Sequence, residues 1–76
     1  MDGPWKVQLG AFGVAGNADR LWAKLSGRAE LAGARKVTQP AGRLTKLLAG
    51  GYPTEAAAQA SCTALKRLGN DCLVTR

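Results

Sequence analysis

The chain has no histidine and just two cysteines, so it lacks the commonest general base, a favoured zinc ligand and any all-cysteine tetrahedral metal site. No metal or cofactor is expected. Acidic residues are also scarce, five against eleven Lys and Arg. Cleavage of a glycan normally needs two carboxyl groups flanking the scissile bond. The five here are scattered: Asp2 in the tail, Asp19 and Glu55 on helix outer or first turns, Glu30 in a connection and Asp71 in a turn. Ser26, Thr45, Ser61 and Cys62 have no histidine to activate them. These absences argue against an enzyme and for a binding module. No run approaches the roughly 18 apolar residues of a membrane span, and no positive-then-apolar leader opens the chain. Met1 to Pro4 reads as a start and linker remnant, and residues 5–76 as one domain of a longer protein.

What is abundant is positive charge. A net charge of +6 and a pI near 10.0 favour an anionic partner, among which nucleic acid, anionic lipid and acidic glycan all qualify. Trp5 to Gly10 alternates apolar and polar residues, which predicts a strand with Trp5, Val7 and Leu9 on one face and Lys6 and Gln8 on the other. Ala18, Leu21, Trp22 and Leu25 then recur at helical spacing, with Asn17 expected to cap the helix and Gly27 to close it. Arg28 to Gly33 can add a short helical turn. Ala34–Gln39 predicts a second strand, and Pro40-Ala41-Gly42 the turn that follows. Arg43–Ala49 predicts a third, with Leu44, Lys46 and Leu48 opposite Thr45, Leu47 and Ala49. Because both faces are partly apolar, the pattern leaves its register open. Thr54 caps a second helix whose stripe is Ala58, Ser61/Cys62, Leu65 and Leu68, and Gly69 ends it. Cys72 to Thr75 closes the order β-α-β-β-α-β, an α+β fold with a four-stranded antiparallel sheet and both helices on one face.

Gln8-Leu9-Gly10-Ala11-Phe12 is faintly echoed by Leu48-Ala49-Gly50-Gly51-Tyr52, a hint of internal duplication. With Val7 in front of the first motif and an alanine-bearing helix after each, almost the whole chain resembles the SPOR domain of bacterial cell-envelope proteins. In that family the first motif reads approximately V-Q-x-G-S-F and the second ends in G-P-F. Here Ala11 stands for the serine, Gly51 for the proline and Tyr52 for the phenylalanine. The resemblance implies a sheet of ribonucleoprotein-like topology that binds peptidoglycan glycan strands stripped of stem peptides and localises its parent to the division septum, in the periplasm or envelope. It carries Gln8 and, with the hydroxyl lost, Ala11 into the binding surface, and places Lys46 where many members have an arginine.

The residues themselves support that face. Gln8 offers both donors and an acceptor to a sugar amide or hydroxyl. Lys6 and Lys46 can pair with carboxylates, and Leu44 and Leu48 can meet apolar sugar-ring faces. Strict alternation puts Phe12 on this outer face too, unless Gly10 and Gly13 allow a bulge that turns it inward. Trp5 and Trp22 are expected in the core. Cys62 and Cys72 both face inward, where they form either a disulfide, favoured in an oxidising compartment, or two buried thiols. RNA binding through the basic sheet is the rival reading, although the third strand lacks the base-stacking aromatics it requires. A monomer is expected.

Overall fold

The computed structural model describes residues 2–76. Its elements run β1 (Gly3–Phe12), α1 (Ala15–Leu25), a 3₁₀ turn (Ala29–Leu31), β2 (Arg35–Ala41), β3 (Leu44–Gly51), α2 (Glu55–Arg67) and β4 (Leu73–Thr75). The strands form one antiparallel sheet in the order β2-β3-β1-β4, which is the expected α+β arrangement. β1 already begins at Gly3, two residues before the expected start.

Both helices bury their apolar stripes against one face of the sheet, except that Leu68, expected in the second stripe, lies past the end of α2 and is half exposed. Val7 and Leu9 of β1, Leu47 and Ala49 of β3, Ala18 and Leu25 of α1, and Ala58 and Leu65 of α2 make a single core, with Trp5, Phe12, Leu21 and Trp22 packed at its margin. The Cys62–Cys72 disulfide lies in this core and ties α2 to the start of β4, across a Cα–Cα distance of 5.2 Å.

Three local details differ from the sequence reading. α1 starts at Ala15 with extended Val14 as its N-cap residue, so Asn17 sits inside the first turn, where its N–H donates to the Val14 carbonyl at 3.0 Å. The β2–β3 hairpin turns at Gly42-Arg43 rather than at Pro40-Ala41-Gly42. Gly42 has φ +61, the left-handed value that the first central residue of a type II′ turn demands. Pro40 stays within β2, which it can do because β2 is an edge strand and a missing N–H need not break a ladder. The end of α1 also differs: Gly27 follows the C-cap Ser26 as expected but lacks the left-handed φ of a glycine that closes a helix.

α2 follows its local signals closely. The Thr54 hydroxyl oxygen accepts from the Ala57 N–H at 3.0 Å. At the other end Gly69, with φ +83, donates its N–H to the Lys66 carbonyl and Asn70 donates to the Leu65 carbonyl, each at 3.0 Å. That pair of bonds is a Schellman motif, and it fixes the path of the loop into β4.

Candidate functional site

The face of the sheet away from the helices is organised by one irregularity in β1. Gln8 pairs with Leu48 of β3, but the next registered pair is Gly10 with Leu47, so Leu9 and Gly10 together oppose one β3 residue. This β-bulge reverses the alternation beyond it. Phe12 therefore turns inward onto the core, as the bulge alternative anticipates, and Ala11 turns outward beside Lys46. Gly10 leaves room for the inward ring. A Cβ there would lie 2.8 Å from the Phe12 Cζ atom, because the ring folds back over the glycine.

The same device recurs in the second half. Alternation from Leu48 and Gly50 would send Tyr52 outward, but Gly51 has φ +103 and Tyr52 is buried in the core. Its hydroxyl lies 2.8 Å from Ser61 Oγ, and both hydroxyls reach the backbone carbonyl of Glu30, at 3.0 and 2.7 Å. Burial pushes the Tyr52 phenol above its ordinary pKa of 10.0; the Glu30 carboxylate adds to the rise, and the Ser61 hydrogen bond offsets part of it.

Strand pairing now arranges the outer face in rows. Gln39, Lys46 and Ala11 form one, Val37, Leu48, Gln8 and Leu73 the next, and Arg35, Gly50, Lys6 and Thr75 the third. Gln8, Lys6, Ala11, Lys46 and Leu48, the residues singled out in the sequence, are thus brought together on one surface. Leu48 differs from the others in being 2% exposed, covered from both sides, so it forms the floor of the face and offers a ligand almost no surface. Leu73, 62% exposed and paired with Gln8, presents the apolar side chain there, and Leu44, 46% exposed, does so near the hairpin. Leu73 was legible in principle: if Cys72 and Val74 face inward, the residue between them faces out.

The sequence reading missed the groove beside Gln8. β4 pairs with β1 only from Lys6 to Gln8, and past that point the α2–β4 loop stands away from the bulged strand. The space between them is a groove of about 480 Å³ whose walls include Gln8, Ala11, Lys66, Asn70, Asp71 and Leu73. Asn70 spans its base, donating from Nδ2 to the Asp71 carbonyl at 2.7 Å and to the Leu9 carbonyl at the bulge at 3.5 Å. The pairing of a loop residue with a strand 61 residues earlier leaves no local sequence signal.

Charge on the sheet is one-sided. None of the four strands contains Asp or Glu, while they carry Lys6, Arg35, Lys36 and Lys46. Lys36 points to the helix side and pairs with Asp19 of α1. The other three stand on the outer face, and among the described residues none of them is in an ion pair. No outer-face aromatic accompanies them, since Trp5, Phe12, Trp22 and Tyr52 all pack into or against the core.

Fold and face together define an α+β domain of ribonucleoprotein-like topology with one open, basic, non-aromatic sheet surface. A family model for the SPOR domain matches residues 2–76, and the chain belongs to that family. The solution structure of the peptidoglycan binding domain of the B. subtilis cell wall lytic enzyme CwlC is similar at 31% identity and a TM-score of 0.70, over 99% of this chain and 90% of that one. The crystal structure of the RlpA SPOR domain from Pseudomonas aeruginosa shares the fold, with 21% identity and a TM-score of 0.74 over 96% of this chain and 99% of that one. No curated protein matches the chain.

Proposed function

We propose that this domain is a non-catalytic module that binds peptidoglycan glycan strands lacking stem peptides, and that it brings a parent envelope protein to the division septum. The observation that carries the reading is the Leu9–Gly10 bulge, which turns Gln8 and Ala11 both outward on a sheet whose strands hold no Asp or Glu and opens the groove next to them. Family membership and the peptidoglycan-binding neighbour support the same ligand class. A glycan strand laid across the rows would meet the Gln8 amide at its amide or hydroxyl groups, the exposed leucines at its ring faces, and Lys6 and Lys46 at its carboxylates. Removing the stem peptide frees the muramic lactyl carboxylate and removes bulk, so charge and shape both favour the stripped strand.

The lack of outward aromatics speaks against the RNA reading, because sheet-binding RNA modules stack bases on rings projecting from the central strands. Charge alone can still attract oligonucleotides without sequence preference. The test is sedimentation with amidase-treated and with peptide-bearing sacculi, with single-stranded RNA as a competitor at physiological salt. The expected result is preferential retention on the stripped material, weakened by Gln8→Ala with the melting temperature unchanged. Equal retention on both materials, or displacement by RNA at low concentration, would count against the reading.

A further inference from the structure

The groove between the bulged β1 and the α2–β4 loop differs from the rest of the open face in its charge. The rows of the sheet carry Lys6, Arg35 and Lys46 against no strand carboxylate, whereas the groove is lined by one cation, Lys66, and one carboxylate, Asp71. Opposite charges around one opening cancel much of each other's field. A volume of about 480 Å³ without net charge suits a neutral polar group together with part of the ring that bears it. Two amides stand there with hydrogen-bonding capacity to spare. The Gln8 side chain bonds to no other described residue, so its donors and its acceptor are free. Asn70 is committed at one end only. Its Nδ2 donates to the Leu9 and Asp71 carbonyls, which fixes the orientation of the amide, since the flipped form would set an oxygen against two carbonyl oxygens. Oδ1 has no partner, and because no buried side-chain oxygen among the described residues is left unpartnered, it is open to solvent. The bond to Leu9 holds this acceptor beside the residue that follows Gln8.

A secondary amide is planar and trans, so its N–H and C=O point in opposite directions and one side-chain amide cannot engage both. An acceptor at the base of the groove and a donor on its β1 wall can. A hydroxyl would use only one of the two. Ala11 and the exposed Leu73, which also line the groove, offer apolar contact to a methyl group. We propose that the groove seats an N-acetyl group of the glycan, with the N–H donating to Asn70 Oδ1, the carbonyl accepting from Gln8 Nε2 and the methyl resting against Ala11 and Leu73. This rests on the glycan-binding reading above and makes Asn70 a residue that selects N-acetylated sugars over plain ones.

Nitrogen-15 NMR titrations of the domain with chitohexaose and with cellohexaose test the assignment. Both are neutral β-1,4-linked hexamers, and they differ in carrying an acetamido group or a hydroxyl on each ring. Chitohexaose is expected to shift the side-chain amide signals of Gln8 and Asn70 and to bind about tenfold tighter than cellohexaose. Asn70→Ala is expected to remove most of that preference by weakening chitohexaose alone, with thermal melting confirming that the domain still folds. Gln8→Ala, at a strand position with no side-chain bond to lose, supplies the same comparison if Asn70→Ala unfolds. If the wild type holds the two hexamers equally or binds neither, or if Asn70→Ala weakens both by the same factor, the acetamido seat is overturned, and retention on stripped sacculi leaves glycan binding standing. If stripped sacculi fail to retain the domain as well, the underlying reading falls and takes the seat with it.

Discussion

Tyr52 stands where the family pattern has phenylalanine, and its hydroxyl is not idle. It adds a partner to the buried Ser61 hydroxyl and reaches the Glu30 carbonyl, linking β3, α2 and the 3₁₀ turn at one point. A hydrogen bond of this kind contributes about 1 kcal/mol net, so Tyr52→Phe is expected to destabilise the domain by about that much at neutral pH in a urea melt. The same residue predicts an alkaline limit. Its folded pKa is raised above the ordinary value, so above roughly pH 10 the unfolded chain loses the phenolic proton first. The unfolded state then binds fewer protons than the native state, and stability falls as pH rises. Below pH 10 this contribution is fully present; it is lost as pH climbs through the raised folded pKa. Urea midpoints taken between pH 8 and pH 11 should therefore drop more steeply in the wild type than in Tyr52→Phe. Parallel declines in the two proteins would show that Tyr52 does not set the limit.

At the level of elements, the short last strand depends on a covalent link. β4 has three residues and pairs with β1 alone, yet it forms one wall of the groove beside Gln8. The Cys62–Cys72 bridge joins it to α2 across a separation of ten residues, for which the chain-entropy model gives about 2–3 kcal/mol. Cys62→Ser with Cys72→Ser, or reduction of the wild type, is expected to lower stability by about that amount in denaturant melts and to speed amide exchange at Leu73–Thr75 ahead of the β1–β3 pair. Uniform acceleration across all strands would mean that the bridge supports the whole fold and not this edge in particular. Element order was legible in the sequence because strands and helices here carry clean periods and because Thr54 and Gly69 mark the ends of α2. What escaped was set by tertiary demands. The start of α1 ignores the capping preference of Asn17, an effect worth about 1 kcal/mol, once the chain leaves β1 with Phe12 turned inward. The hairpin kept Pro40 in a strand because β2 lies at the edge, a position known only after the sheet is assembled. Gln8, Lys6, Ala11 and Lys46 could be placed on one face from parity and motif, whereas the burial of Leu48 and the wall formed by Asn70 and Asp71 depend on neighbours from distant strands and loops.

Across the whole molecule, the net charge of +6 is expected to make folding and the proposed glycan binding respond to salt in opposite senses. The fold draws little from ion pairs: the two among the described residues, Arg28–Glu30 and Lys36–Asp19, are largely exposed, and pairs of that kind contribute between nothing and about 1 kcal/mol. Excess positive charge instead repels itself within the compact state, and added salt screens that repulsion. The open sheet face, by contrast, gathers Lys6, Arg35 and Lys46 without a compensating carboxylate, so its attraction for an anionic strand is what screening removes. Raising NaCl from about 0.1 M to about 1 M shortens the screening length from roughly 10 Å to roughly 3 Å, less than the separation of neighbouring strands. Retention on stripped sacculi should fall over that range while the melting temperature holds or rises. A melting temperature that dropped in step with retention would place the charge dependence in the fold. Retention indifferent to salt would remove the basic face from the binding mechanism and leave the Gln8 amide, the exposed leucines and the groove to account for it.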